Sequence, residues 1–126
     1  MRFLLDSTLL IDHANADEPA AALLGRLFAE GHELYTCDVV TCEVLSGGDE
    51  PNRAHILRLL DAMEYVATSP EAARWAGRSR LDRRRVGGRR ALADALVAGV
   101  AWELDATVVT RNRPDFERQG IPVLTY

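Results

Sequence analysis

Short apolar runs typical of β-strands alternate with helical segments along the chain, and this alternation limits the possible folds most strongly. The runs occupy residues 1–5, 33–37, 64–68, 106–110 and 121–124, and the segments between them carry apolar residues at helical spacing. Strands that alternate with helices predict a parallel sheet with helices on both faces. The chain has 126 residues and no linker-like stretch, so we expect an α/β fold in a single domain over residues 1–126.

Capping and proline signals predict where the helices begin. Pro19 and Pro51 suit first helical turns, and Ser69 followed by proline is typical of a capped helix start. Residues 111–115 are predicted to form a polar loop, and the last apolar run, which contains proline, to form an edge strand. Asp38 is predicted to cap a helix over residues 39–45, and other helices are placed over residues 7–15, 20–30, 51–63 and 90–104.

Composition and charge exclude several classes of protein. The formal net charge of -4 argues against a protein that binds nucleic acid with its whole surface, but it leaves room for local basic patches. No apolar run approaches the roughly 18 residues that a membrane span needs. Cys37 and Cys42 lack the spacing of a zinc or redox pair. We therefore expect a cytoplasmic protein with free thiols and no membrane association.

Four acidic residues lie near the carboxyl ends of the predicted strands. Asp6 ends the first strand, and Glu43 lies in the helix after the second. Asp94 opens the helix that leads to the fourth strand, and Asp115 lies in the loop after that strand. Because the carboxyl ends of parallel strands share one face of the molecule, we expect the four acids to meet in one cleft. Taken singly, each acid also has a structural interpretation, as a helix cap, as a charge at the positive end of a helix or as a solvated side chain.

Several carboxylates in one cleft need a compensating cation, because they repel each other and otherwise shift toward protonation. Oxygen ligands without cysteine or histidine suit a hard divalent ion, Mg²⁺ or Mn²⁺. Such a site keeps metal-bound water that can attack a phosphodiester, which is the chemistry of a hydrolytic nuclease. Four polar residues are expected to orient the ligands or the phosphate, namely Ser7, Thr8, Thr110 and Asn112.

The motifs that contain these residues resemble those of PIN domains of the VapC toxin type. They are Leu5-Asp6-Ser7-Thr8, Glu43 after the second strand, Asp-Ala-Leu-Val-Ala at residues 94–98, and Thr-Arg-Asn-Arg-Pro-Asp-Phe at residues 110–116. The last motif is the most specific, since it is close to the family's Thr-x-Asn-x-x-Asp-Phe. The resemblance covers essentially the whole chain. It implies a three-layer α/β/α fold with a central, mainly parallel sheet of four to five strands.

The resemblance also implies a function and roles for individual residues. The implied function is that of a magnesium-dependent endoribonuclease, a toxin that acts on RNA, forms a homodimer and is held in check by a cognate antitoxin. By their motif positions, Asp6, Glu43 and Asp94 resemble the three central acids of the family. Asp115 resembles the fourth acid, and Asn112 resembles its polar companion.

The chain departs from the family pattern at the hydroxyl residues after the first acid. Many relatives place threonine before serine, whereas this chain has Ser7 before Thr8. Both hydroxyls persist, so the departure affects their individual roles and leaves metal binding intact. Three further acids have no matching motif position and are interpreted as helix-surface or capping residues, namely Asp12, Asp38 and Asp105.

An arginine-rich stretch interrupts the otherwise acidic chain. Residues 78–90 contain seven arginines and one acid, Asp82. The stretch is compatible with a solvated helix face, the usual meaning of a charge run. It is equally compatible with RNA phosphate contacts that lead to the acidic cleft, made by Arg83, Arg84 and Arg85.

Two other functions stay open at the level of sequence. A non-catalytic PIN-like module would bind RNA or a protein without needing all four acids. A small-molecule phosphohydrolase on a similar sheet would need an Asp-x-Asp pair after the first strand, and the chain has Asp-Ser-Thr there. The three histidines are scattered along the sequence, so activation of the nucleophile is expected from a metal and a carboxylate.

Overall fold

A computed structural model describes residues 1–82 and 91–126 and contains, within them, the alternation that the sequence predicts. The strands are β1 (Arg2–Leu5), β2 (Glu33–Cys37), β3 (Glu64–Val66), β4 (Thr107–Val109) and β5 (Val123–Leu124). The helices are α1 (Ser7–Ala14), α2 (Glu18–Ala29), α3 (Asp38–Leu45), α4 (Glu50–Asp61), α5 (Pro70–Leu81), α6 (Leu92–Leu104) and α7 (Arg113–Glu117).

The five strands form one sheet in the order β3-β2-β1-β4-β5, and every neighbouring pair is parallel. β1 is central, with Leu4 in register with Tyr35 of β2 on one side and with Val108 of β4 on the other. The predicted α/β fold with a parallel sheet is therefore confirmed. The strand order places the carboxyl ends of β1, β2 and β4 side by side, which is where ligands bind in open α/β sheets.

The central strands are buried on both faces, as their continuous apolar runs indicate. Leu4 and Leu5 of β1 and Val108 and Val109 of β4 are completely inaccessible to solvent. One hydrophobic core cluster joins these strands to apolar residues of α1, α2, α3 and α6. Packing in this core holds β1 and β4 in place. The residues at the carboxyl ends of these strands are therefore held in place as well.

Helix α6 packs unusually closely against α5. A side chain at Gly99 of α6 would place its Cβ 2.4 Å from the main-chain oxygen of Ala72 in α5, so only glycine fits there. Ala72 itself is buried, as are most residues on the inner side of α6. This contact fixes the position of α6, whose first turn carries Asp94.

Local differences from the predicted boundaries have identifiable causes. Ser69 caps α5 as predicted, since its hydroxyl accepts a hydrogen bond from the Ala72 N–H at 3.0 Å. The prediction that Asp38 caps α3 is wrong, because Cys37 occupies the cap position and Asp38 is the first helical residue. The Asp38 carboxylate instead accepts hydrogen bonds from the N–H and the hydroxyl of Thr68, at 3.2 and 2.7 Å.

The predicted loop over residues 111–115 is also shorter than expected. Helix α7 already begins at Arg113, with Pro114 in its first turn, a position that proline favours. Asp105 lies at the C-terminal cap of α6 with a φ of 53°, in keeping with the predicted capping role. Among the described helices, none combines the length and apolar character needed to cross a bilayer.

Candidate active site

The candidate site begins where β1 and β4 end side by side. Asp6 follows β1, and its main-chain N–H donates a hydrogen bond to Val109 O at 3.0 Å. Thr110 follows β4, and its hydroxyl donates a hydrogen bond to Asp6 Oδ2 at 2.7 Å. Both residues are almost completely buried, with 2% and 0% of their surfaces exposed. The parallel pairing of the two strands therefore brings together residues that are 104 positions apart in the sequence.

Asp6 occupies the cap position of α1, but its side chain makes no capping hydrogen bond of the usual kind, to the N–H of the second or third helical residue. Burial raises the pKa of its carboxyl above the ordinary value, because the charged form loses its hydration. Hydrogen bonds from Thr110, the Ser7 N–H and Thr8 partly offset this rise, and the nearby Asp115 adds to it. The capping interpretation of the Asp6 side chain is therefore not supported, and its carboxylate is available for another role.

Two threonine hydroxyls connect Asp6 to the loop after β4. The Thr8 hydroxyl lies 3.4 Å from Asp6 Oδ2 and 3.3 Å from the Thr110 hydroxyl. It also accepts a hydrogen bond from the Arg111 N–H at 3.1 Å. The Thr110 hydroxyl accepts one from the Asn112 N–H at 3.0 Å. Thr8 and Thr110 thus lie at Asp6, and Asn112 is linked to it indirectly, through the hydrogen bond from its main-chain N–H to Thr110.

The other predicted acids approach Asp6 from three different helices. Glu43 lies on α3, Asp94 in the first turn of α6 and Asp115 in the first turn of α7. Burial raises the pKa of Glu43, and repulsion from Asp6 raises it further, while a hydrogen bond with Ser7 lowers it. The fourth predicted polar residue, Ser7, is therefore also part of this cluster.

All three other acids of the cluster raise the pKa of Asp94. Its pKa is raised from 3.8 to about 6, first by burial and then by repulsion from Asp6, Asp115 and Glu43. A hydrogen bond with Asp115 favours the protonated form in addition. These interactions link Asp94 to the three other acids at the carboxyl edge of the sheet.

The cluster suits a hard cation by its chemistry. Its donors are all carboxylate oxygens, which Mg²⁺ and Mn²⁺ favour, and the acids repel each other unless a positive charge lies between them. Within residues 1–82 and 91–126, no three acidic, histidine or cysteine side chains surround one point tightly enough to enclose a metal ion. The fit to a cation therefore depends on donor chemistry and mutual repulsion, not on a preformed cage.

An apolar groove of about 360 Å³ runs between α3 and α6 beside this cluster. Most of its lining residues are apolar, and two are acidic, including the site residue Glu43. The lining residues are Asp38, Val39, Cys42, Glu43, Leu92, Ala93 and Leu96. Leu92 is 57% exposed, which is high for a large apolar side chain. The groove thus offers an apolar surface with acids at its edge.

Comparison with known proteins identifies the family of the chain. The family model described as the PIN domain matches residues 3–121, which is nearly the whole chain. The chain belongs to the PIN domain family. This PIN domain is 32% identical over 111 residues to ribonuclease VapC19 of Mycobacterium tuberculosis, a similarity that covers 86% of this chain and 87% of that protein. The resemblance to VapC-type proteins is therefore confirmed.

Solved structures share the fold of this PIN domain. VapBC2 from Rickettsia felis, bound to a DNA fragment from its promoter, superposes with a TM-score of 0.84 at 20% identity, covering 100% of this chain and 99% of that one. DNA-bound VapBC from Salmonella typhimurium gives a TM-score of 0.81 at 23% identity, with 99% and 98% covered. These similarities confirm the predicted three-layer α/β/α architecture.

Asp12 is a second residue of this PIN domain, after Asp38, for which the sequence-based prediction is wrong. Asp12 is not a surface or capping residue, because only 9% of it is exposed. Its carboxylate lies 2.9 Å from Arg111 Nη1 and accepts a hydrogen bond from the Tyr126 hydroxyl at 2.7 Å. Its spacing from Thr8 was an available signal, since residues four apart share a helix face and Thr8 faces the loop after β4.

The predicted RNA contacts Arg83, Arg84 and Arg85 lie outside the residues that the structure describes. The beginning of the arginine-rich stretch is described and forms the end of α5. Arg78 and Arg80 lie in the last turn of that helix, where basic side chains interact favourably with the helix dipole.

Proposed function

We propose that this PIN domain is a magnesium-dependent endoribonuclease that hydrolyses RNA phosphodiester bonds and serves as the toxin of a VapBC-type toxin-antitoxin system. The observation that carries the proposal is the buried carboxylate of Asp6, coupled electrostatically to three further acids at the carboxyl edge of the sheet. The 32% identity to a protein named ribonuclease VapC19 supports the same reaction class.

We assign the metal to four residues, namely Asp6, Glu43, Asp94 and Asp115. When bound there, Mg²⁺, or Mn²⁺ with the same oxygen donors, would supply an activated water and neutralise charge on the phosphate. Asp94 holds a proton more tightly than an ordinary aspartate, with a pKa of about 6, so it must lose that proton to serve as a ligand.

The hydroxyl residues around Asp6 would keep this carboxylate in one orientation. Thr110 donates to one Asp6 oxygen, and Thr8 lies beside both groups. The other Asp6 oxygen has no such hydroxyl donor among these contacts, which suits it to a cation. Ser7 would play the corresponding part for Glu43, with which it forms a hydrogen bond. Asn112 would orient the phosphate from the same loop.

The groove between α3 and α6 suits a cognate antitoxin. A segment with apolar side chains would fill the surface formed by Val39, Leu92 and Leu96, and a basic side chain would face Glu43. The VapBC names of the similar solved structures support a partner of this kind. A homodimer and a cytoplasmic location remain further predictions from the family resemblance.

The alternative function is a non-catalytic PIN-like module that binds RNA or a protein. Such a module gains nothing from four coupled acids, because their repulsion only destabilises the fold when no cation is bound. A metal titration separates the two functions. A ribonuclease requires Mg²⁺ uptake in the same concentration range that activates cleavage, whereas a binding module requires neither.

The proposal is tested by sequencing RNA ends after expression of the wild type, Asp94→Asn and Asp61→Asn. Asp61 lies exposed at the end of α4, so Asp61→Asn makes the same change of charge away from the site. We expect new RNA ends with the wild type and Asp61→Asn and their loss with Asp94→Asn. Equal patterns for all three proteins would refute the proposal, and the ends themselves would name the RNA target.

A further inference from the structure

We infer that Asp12 is a positioning residue, which holds Arg111 and thereby fixes the loop that presents Thr110 to Asp6. Asp12 belongs neither to the four acids nor to the polar residues around them. It lies on α1, one turn after Thr8, and it faces the same loop. The effect of Asp12 on RNA cleavage rests on the proposed function, whereas its effect on the position of the loop does not.

Arg111 is held by α1 at two points. Its main-chain N–H donates to the Thr8 hydroxyl at 3.1 Å, and its guanidinium lies 2.9 Å from the Asp12 carboxylate. Two contacts, from the backbone and from the end of the side chain, leave Arg111 little freedom to move. Because Arg111 lies between Thr110 and Asn112, these two contacts also restrain both neighbours relative to α1.

The restrained neighbours make the hydrogen bonds that reach Asp6. The Asn112 N–H donates to the Thr110 hydroxyl at 3.0 Å, so that the hydroxyl directs its own proton to Asp6 at 2.7 Å. A change in the path of residues 110–112 would disturb both bonds. A continuous chain of contacts therefore runs from Asp12 through Arg111 to the carboxylate of Asp6.

The Asp12 contact differs from an ordinary surface ion pair. The Asp12 side chain is 12% exposed although that of Arg111 is 60% exposed, whereas both members of the Arg2–Glu33 pair, at 3.2 Å, are about half exposed, at 48% and 53%. Exposed ion pairs contribute little to stability. Burial of a carboxylate, in contrast, is unfavourable unless hydrogen-bond or charged partners compensate for the lost hydration. Tyr126 is the second partner, and its hydroxyl donates to Asp12 at 2.7 Å. The two donors hold the carboxylate in one orientation toward Arg111.

The inference is tested with Asp12→Asn, Tyr126→Phe and the control Glu33→Gln, which removes a carboxylate charge at the opposite end of the sheet. The first measurement is hydrogen exchange of the Arg111 and Asn112 amides in the metal-free proteins. The second is Mg²⁺ affinity by calorimetry, and the third is kcat and KM for RNA cleavage. Together they separate a loop effect from a general loss of stability.

We expect Asp12→Asn to speed hydrogen exchange at the Arg111 and Asn112 amides. It should also lower Mg²⁺ affinity or kcat about tenfold, with KM unchanged, because residues that hold metal ligands from outside have effects of this size. Tyr126→Phe should act in the same direction but less strongly, and it decides the question if Asp12→Asn does not fold. The inference would be overturned if amide exchange, Mg²⁺ affinity and kcat of Asp12→Asn matched those of the control Glu33→Gln. Faster exchange with unchanged affinity and kcat would overturn it as well.

The measurements also separate this inference from the proposed function. A wild type that cleaves no RNA would contradict the proposed function, while amide exchange in the metal-free proteins would still decide whether Asp12 holds the loop. A wild type that cleaves RNA and an Asp12→Asn variant that behaves like the control would contradict only the present inference.

Discussion

The hydroxyl of Thr110 donates a 2.7 Å hydrogen bond to the carboxylate of Asp6 across 104 residues of sequence. The bond is buried and joins the end of the central strand, β1, to the end of its neighbour β4. It also lowers the pKa of Asp6, which burial raises. One hydrogen bond therefore couples the fold to the ionisation of the acid at the centre of the candidate site.

Thr110→Val should weaken cleavage while keeping the shape of the side chain. The variant removes the donor to Asp6, so we expect cleavage to fall about 10–100-fold, the usual cost of losing an outer partner of a metal ligand. The free energy of unfolding should fall by about 1–3 kcal/mol, because a buried oxygen loses its donor. Thr110→Ser keeps the hydroxyl and is the matched control. Equal cleavage by the wild type and Thr110→Val would show that this bond has no role in the reaction.

The metal-free protein should lose stability as the pH rises from about 4 to about 7. The folded-state pKa of Asp94 is about 6, against an ordinary value of 3.8. Between these values the folded chain binds more protons than the unfolded chain, so raising the pH favours unfolding until Asp94 is ionised in both states. Asp6 and Glu43, whose pKa values are also raised, contribute with the same sign.

Urea unfolding in EDTA measures this pH dependence. The decline in the free energy of unfolding should be smaller in Asp94→Asn, which cannot ionise at this position, and Mg²⁺ should oppose the decline in the wild type. A difference between the wild type and Asp94→Asn that stays constant over this pH range would contradict the raised pKa of Asp94 in the folded protein.

Gly99→Ala should destabilise the protein by forcing α5 and α6 apart. The new methyl group would lie 2.4 Å from the main chain of Ala72, and overpacking of this kind costs about 1–3 kcal/mol. Gly77→Ala in α5 is the control, since its Cβ would meet no atom within 4 Å and alanine favours the helix by up to about 1 kcal/mol. Thermal or urea unfolding compares the two. Equal stability of both variants would show that the close helix contact can relax.

Replacement of Arg83, Arg84 and Arg85 by alanine should weaken RNA binding and flatten its salt dependence. Each lost phosphate contact on a single strand reduces the slope of log affinity against log salt by about 0.7, so three contacts correspond to about 2. A triple alanine variant at Arg2, Arg26 and Arg58 makes the same change of net charge elsewhere. If both triple variants bind RNA alike over a salt titration, the arginine stretch has no specific role.

The sequence predicts the fold and the grouping of the acids well, because both follow from the order of apolar runs. A parallel sheet places Asp6 and Thr110 at neighbouring strand ends, and the helices before and after β4 bring Asp94 and Asp115 to the same edge. These positions depend on the backbone alone. They can therefore be inferred before any side-chain contact is known.

The role of Asp12 could not be predicted in the same way. Its partners Arg111 and Tyr126 lie 99 and 114 residues away, and the spacing of Asp12 from Thr8 indicates only the face of α1 on which it lies, not these partners. The prediction for Asp38 failed for a similar reason, because Thr68, 30 residues away, binds its carboxylate. Long-range side-chain contacts depend on the assembled fold, whereas capping signals are read from neighbouring residues alone.

The most direct test of the proposed metal-dependent site is RNA cleavage by purified wild type and Asp6→Asn, each measured with Mg²⁺ and with EDTA. Circular dichroism should show the same fold for both proteins, since asparagine has nearly the same shape as aspartate. We expect cleavage only by the wild type with Mg²⁺ and a loss of more than about 100-fold in Asp6→Asn, because even outer residues of metal sites cost 10–100-fold. Cleavage by folded Asp6→Asn at the wild-type rate, or undiminished cleavage in EDTA, would contradict the four-acid metal site.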